Sequence, residues 1–196
     1  MRNNKVFLFI KDQHGSLRGF LNFLCFQLRF YLLFEFRELQ KLPKNIKRVV
    51  FICTGNICRS PAAEHIFRLH SDIPVTSIGL DTTTGSPIHP KVQKLAPSVC
   101  PEIDLKHHQA TSISDFMKLD GDLYIVMEPN HVKTLMLKHP DISPQNVVLL
   151  GLFSKPQKVY LHDPYSSPEA YVKKNLKDIL SATKNLAQQL KCSTAQ

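Results

Sequence analysis

Residues 49–67 read VVFICTGNICRSPAAEHIF. The apolar, β-branched run from Arg48 to Cys53 has the texture of a strand buried on both faces, as parallel sheets require. Ser60 and Pro61 supply a cap and a pre-set first turn, so a helix is expected from there to about His70. The rest of the chain repeats this alternation. PVTSIG (74–79), DLYIVM (122–127) and NVVLLG (146–151) read as three further buried strands. Helices are expected over about 90–98 and 129–138, and from Pro168 to about Leu190. Strands and helices in this order imply an α/β fold, a parallel sheet with helices on both faces.

The chain has two unlike parts. Residues 1–48 hold ten Lys or Arg against three acidic residues, a net of +7, and eight of the twelve Phe. The remaining residues are nearly neutral at +2. A basic, aromatic, helical N-terminal extension over 1–46 is therefore expected ahead of a domain over 47–196. The first apolar run, Val6 to Ile10, is too short for a secretory leader. A cytoplasmic, reducing setting follows as the expectation, in which the five cysteines are reactive or buried rather than paired.

Ligands of such folds bind beyond the carboxyl ends of the strands. Cys53 stands there, in a loop entering a helix amino terminus, where free N–H groups and the helix dipole form an anion cradle. Thr54, Gly55, Asn56, Ile57, Cys58, Arg59 and Ser60 are the phosphate-binding candidates. Gly55 is expected to allow a tight turn and Asn56 a left-handed one. Arg59 offers a planar fork for two phosphate oxygens. The positive field favours a thiolate at Cys53, and the Ser60 hydroxyl can donate to it. A thiolate beneath a phosphate monoester is placed for in-line attack and a phospho-cysteine intermediate. Asp163, in HDPY, is the candidate general acid, and then the base for water. Tyr165 is expected to flank the site. His107, His108 and His162 read as solvated or structural.

FICTGNICRSPAAEHIF, with DPY near the C-terminus and IDLKHHQA and DLYIVMEPNH between, resembles the low-molecular-weight protein tyrosine phosphatases of bacterial type, over roughly residues 47–190. The resemblance implies a four-stranded parallel sheet, Cys53 as nucleophile, Arg59 as phosphate clamp, Asn56 and Ser60 as loop supports, and Asp163 as general acid. It implies no metal and no organic cofactor. It also implies a phosphotyrosine protein as substrate, in bacterial relatives a tyrosine kinase of exopolysaccharide synthesis. The chain departs from many relatives in TSIGL after the second strand, in Gln109, in Ser166, and in having no aromatic between Val75 and Pro90. The wall opposite Tyr165 is then either open or filled by the arm.

Cys53 and Cys58 lack a second close pair of ligands for zinc. Cys58 is instead a redox partner for Cys53 under oxidant. An arsenate reductase of the same fold needs relay cysteines, and Cys100 stands alone. A non-catalytic oxyanion-binding or scaffold module is the non-enzymatic alternative. Residues 17–40 are expected to form one long helix, its longest charge-free run too short to span a bilayer. Two uses of it stay open, an interfacial helix on anionic lipid or packing on its own domain or a partner. A true start near residue 45 is a third. Nucleic acid is not an expected partner, because the arm's charges are spread among aliphatics.

Overall fold

The computed structural model describes residues 2–194. Two helices, α1 (Arg2–His14) and α2 (Leu17–Leu32), precede an alternating series: β1 (Arg48–Cys53), α3 (Arg59–Arg68), β2 (Val75–Gly79), α4 (Pro90–Leu95), β3 (Asp122–Val126), α5 (Pro129–Lys138), β4 (Val147–Leu149) and α6 (Glu169–Thr194). The four strands form one sheet in the order β2-β1-β3-β4, all parallel.

Strand alternation sorts the core into two layers. Val49, Phe51, Leu123, Ile125 and Val148 pack on one face with α3, α4 and α6. Val50, Ile52, Tyr124, Val126, Val147 and Leu149 face the other side, which is closed by Leu135 of α5 and Phe30 of α2. Phe26, Phe36 and Leu39 are partly buried against that second layer. The arm thus packs on its own domain, while α1 lies against α6.

Residues 2–14 form a first helix, in keeping with a helical extension. One expectation for the arm is corrected. The expected single helix over 17–40 ends at Leu32, and a separate 3-10 turn follows at Arg37–Gln40. No Gly or Pro marks that stop. Phe34 (φ 55°) and Phe36 (φ 69°) instead take left-handed backbone, which is costly for bulky residues. Arg29 Nε donates to Glu35 at 2.7 Å and ties the reversal, and Phe36 and Leu39 are thereby brought onto the core. Burial of these side chains offsets the local strain.

Candidate active site

The chain runs from β1 out to β2 and returns to β3 on the other side of β1. A crevice therefore opens beyond the carboxyl ends of β1 and β3. Cys53 ends β1, and Met127 and Glu128 follow β3.

The loop between Cys53 and Arg59 turns its carbonyls outward. The Cys53 carbonyl accepts from Leu80 N at 3.0 Å, Thr54 from Asp81 N at 2.9 Å, and Ile57 from His89 N at 2.9 Å. The Asn56 carbonyl meets His108 Nε2 at 2.8 Å. A trans peptide sets its C=O and N–H on opposite sides. The N–H groups of Thr54, Gly55, Ile57 and Cys58 are accordingly turned to the inside of the loop. Asn56 N–H donates to Cys53 Sγ at 3.2 Å, and Ser60 Oγ lies 3.1 Å from the same sulfur.

Asn56 is the internal brace. It is fully buried with φ 50°. Its Nδ2 donates to Ser60 Oγ at 2.9 Å and to Ser77 Oγ at 2.8 Å, and its Oδ1 accepts from Thr111 N at 2.8 Å. Ser77 in turn donates to Glu64 at 2.6 Å. Gly55 does not take the left-handed conformation, and a Cβ there would meet only the Ile57 side chain, at 3.4 Å. The close approach falls to Gly79, where a Cβ would sit 2.9 Å from the Thr54 carbonyl oxygen.

Arg59 is the hub. Its side chain is 1% exposed. Nη1 donates to the Leu161 carbonyl at 3.0 Å and to Glu128 Oε2 at 3.2 Å, and Nη2 donates to Asp163 Oδ2 at 2.7 Å. Nε is buried and has no protein acceptor among the described residues. Burial works against the guanidinium charge, but Asp163 and Glu128 outweigh it and raise the Arg59 pKa. For Glu128 burial wins over Arg59, and its pKa is raised. Cys58 is pushed up chiefly by burial, with Asp163 and Cys53 adding to it, so it is a neutral thiol.

Asp163 is held at both oxygens, Oδ2 by Arg59 and Oδ1 by Tyr165 N at 3.1 Å. Tyr165 is 58% exposed, with its ring edge-on to His89 at 5.0 Å between centroids. The His89 ring thus lies against Tyr165 on this rim. A search for Phe, Tyr and Trp passes over an imidazole. Glu128 and His131 were also missed. His131 Nε2 lies 3.1 Å from Thr54 Oγ1, and burial holds its pKa well below the ordinary value. Their position directly after β3, at the crevice, was the available signal.

Three comparisons bear on this geometry. The model of the low molecular weight phosphotyrosine protein phosphatase family matches residues 48–196. The low molecular weight protein-tyrosine-phosphatase Wzb of Salmonella typhi is 31% identical over 122 residues, 60% of this chain and 76% of its own. Among solved structures, the low molecular weight protein tyrosine phosphatase of T. tengcongensis matches with TM-score 0.63 and 28% identity, over 72% of this chain and 98% of that one. The YwlE arginine phosphatase of Geobacillus stearothermophilus matches with TM-score 0.65, over 76% of this chain and 96% of that one, and at 20% identity shows likeness of fold.

Proposed function

The chain belongs to the low-molecular-weight phosphotyrosine protein phosphatase family and is a protein-tyrosine phosphatase, and from that premise we propose that residues 47–196 form a domain that hydrolyses phosphotyrosine on proteins through a phospho-cysteine intermediate. The observation that carries this reading is the inward turn of the loop's N–H groups around Cys53, together with the buried guanidinium of Arg59, which reaches Thr54 of the same loop.

In the first step the Cys53 thiolate attacks phosphorus in line. The S–P bond forms as the P–O bond to the phenol breaks, and Asp163 gives its proton to the departing oxygen. The N–H groups of Thr54, Gly55, Ile57 and Cys58, with the Arg59 guanidinium, stabilise charge on the three equatorial oxygens. In the second step the Asp163 carboxylate takes a proton from water, whose oxygen attacks phosphorus. The S–P bond breaks, and phosphate and the thiolate are released. Asn56 and Ser60 hold the loop and the sulfur. Tyr165 and His89 flank the aryl ring of the substrate. Partners of this class are phosphotyrosine proteins, and a bacterial tyrosine kinase of exopolysaccharide synthesis is the one proposed.

Asp163→Asn tests the acid role. Turnover of a phosphotyrosyl peptide is expected to fall by about a hundredfold or more. With an acidic phenol as leaving group the intermediate should still form and then accumulate, since its hydrolysis lacks the base. Acid-quench trapping of labelled phosphate on Cys53 reads this directly. Unchanged peptide turnover would remove Asp163 from the mechanism.

The arm's outer face supports a second part of the reading. Among the described residues no helix is long and apolar enough to cross a membrane. Leu17, Leu21, Leu24, Leu28 and Tyr31 recur at spacings of four and three residues along α2, and all are exposed. The surrounding segment carries a net of +7. An apolar stripe in a basic setting complements an anionic bilayer surface. Sedimentation with phosphatidylcholine vesicles is expected to rise at least about tenfold when phosphatidylglycerol is included, and to be lost in Leu21→Glu/Leu28→Glu. Equal sedimentation with both vesicles, or a dimer dissolved by the same double variant, would overturn it.

A further inference from the structure

The His162 imidazole is held by the arm. Ser16 Oγ lies 3.2 Å from its Nε2, and Tyr160 OH lies 3.0 Å from its Nδ1. Both partners are themselves fixed. Ser16 is the N-cap of α2, accepting from Gly19 N at 2.9 Å, and Tyr160 OH accepts from Asn22 Nδ2 of α2 at 3.2 Å. Burial, helped by Arg59, lowers the His162 pKa. A neutral ring donates at one nitrogen and accepts at the other, which suits two hydroxyl partners.

Two arm glycines press on the same ring. A Cβ on Gly15 would stand 2.7 Å from His162 Cδ2 and 2.6 Å from Ser167 Oγ. A Cβ on Gly19 would stand 2.7 Å from His162 Cδ2 and 2.2 Å from the His14 carbonyl oxygen. Gly15 also takes φ +78°, which α1 needs to hand over to α2. Any larger residue at either position pushes the arm off the ring or the ring off its place.

His162 directly precedes Asp163. Its carbonyl accepts from Asn175 Nδ2 of α6 at 3.2 Å and from Tyr171 OH at 3.4 Å. Ser167, under Gly15, donates to the Asp163 carbonyl at 3.4 Å. Side chain and main chain of His162 are thus held from two sides, by the arm and by α6.

We propose that the N-terminal arm is part of the catalytic apparatus. In this assignment His162 is a positioning residue, and Ser16, Gly15 and Gly19 set it so that Asp163 reaches the leaving oxygen. The inference rests on the reading of Asp163 as general acid. Catalysis is sensitive to such placement, because small displacements of a proton donor cost large factors in rate. The family match begins at residue 48, so the arm's side of this coupling, Gly15, Ser16 and Gly19, lies outside the matched segment.

The test is a leaving-group series. Ser16→Ala and His162→Asn are compared with the full-length parent on phenyl phosphate and on p-nitrophenyl phosphate, each with Asp163 and with Asp163→Asn. A proton donor matters most when the leaving phenol is weakly acidic. The expected result is a loss of about tenfold in kcat/KM, which reports the first step and not hydrolysis of the intermediate, on phenyl phosphate, with less than about a twofold change in kcat/KM on p-nitrophenyl phosphate. In the Asp163→Asn background the same arm variants should cost nothing further, since residues acting through one group are not additive. Equal losses on both substrates, or equal losses with and without Asp163, would mean a merely structural arm and overturn the proposal. Failure of the underlying reading shows separately, as Asp163→Asn alone lacking leaving-group dependence. Thermal unfolding of each variant confirms that folded proteins are compared.

Discussion

Cys53→Ser is expected to lose turnover of aryl phosphates by at least about ten-thousandfold, with the fold intact. Cys53 is 2% exposed, and its sulfur receives Asn56 N–H at 3.2 Å and lies 3.1 Å from the Ser60 hydroxyl. An N–H aimed at the sulfur suits attack by a thiolate, and a serine hydroxyl at position 53 is a poor nucleophile. Packing hardly changes, since oxygen replaces sulfur within the same buried cluster. Binding should therefore survive, and phosphate affinity measured calorimetrically should stay within about threefold of the parent while kcat collapses. Residual turnover near the parental rate would place the nucleophile elsewhere. The same sulfur explains an expected redox response. With hydrogen peroxide as oxidant, Cys53 becomes a sulfenic acid, and the Cys58 thiol condenses with it, releasing water and forming a disulfide. Thiol reductant should restore activity to the parent and restore less of it to Cys58→Ser. Equal recovery would remove Cys58 as the partner.

Arg59→Lys carries the second large effect, an expected fall of about a thousandfold or more in kcat/KM. The guanidinium reaches the Leu161 carbonyl, Glu128, Asp163 and Thr54 Oγ1 at once, and its buried Nε remains for an anion. An ammonium is a point charge on a flexible stem and cannot span that set. The loss should appear in kcat as well as in KM, because fork and oxygens match best in the transition state. Inorganic phosphate inhibition, measured alongside, should weaken by less than kcat falls. Arg59→Ala carries a further cost. Glu128 would keep a mostly buried carboxylate without its ion-pair partner, a loss of about 3–5 kcal/mol. A denaturant titration of the alanine variant reads that number. An arginine variant of near-parental activity would show that the loop N–H groups alone hold the phosphoryl group.

Cys53 and Arg59 were both legible in the local sequence. Cys53 and Arg59 lie seven positions apart at most from every loop group they serve, Thr54 through Ser60, so a strand, a loop and a helix start are enough to place them together. Local pattern is decisive there because buried parallel strands are continuous apolar runs, and because a capped helix leaves its N–H groups free. The four strands and their parallel order follow from the same alternation, and Arg48–Cys53 and Pro129–Lys138 fall at the ends that the residues announce.

The remainder depends on contacts between residues far apart in the chain, which no local pattern encodes. Glu128 reaches Arg59 across 69 positions and His108 reaches the Asn56 carbonyl across 52. His89 meets Tyr165 because two loops converge on one rim. The arm shows the limit most plainly. Its charge and aromatic content were evident, but its break at Leu32 arises where burial of Phe36 and Leu39 outweighs two left-handed residues, a balance set by the core they meet. That Ser16 would cap a helix was open to reading; that its hydroxyl would reach His162, 146 positions away and beside Asp163, was decided by the packing of the arm on the finished domain.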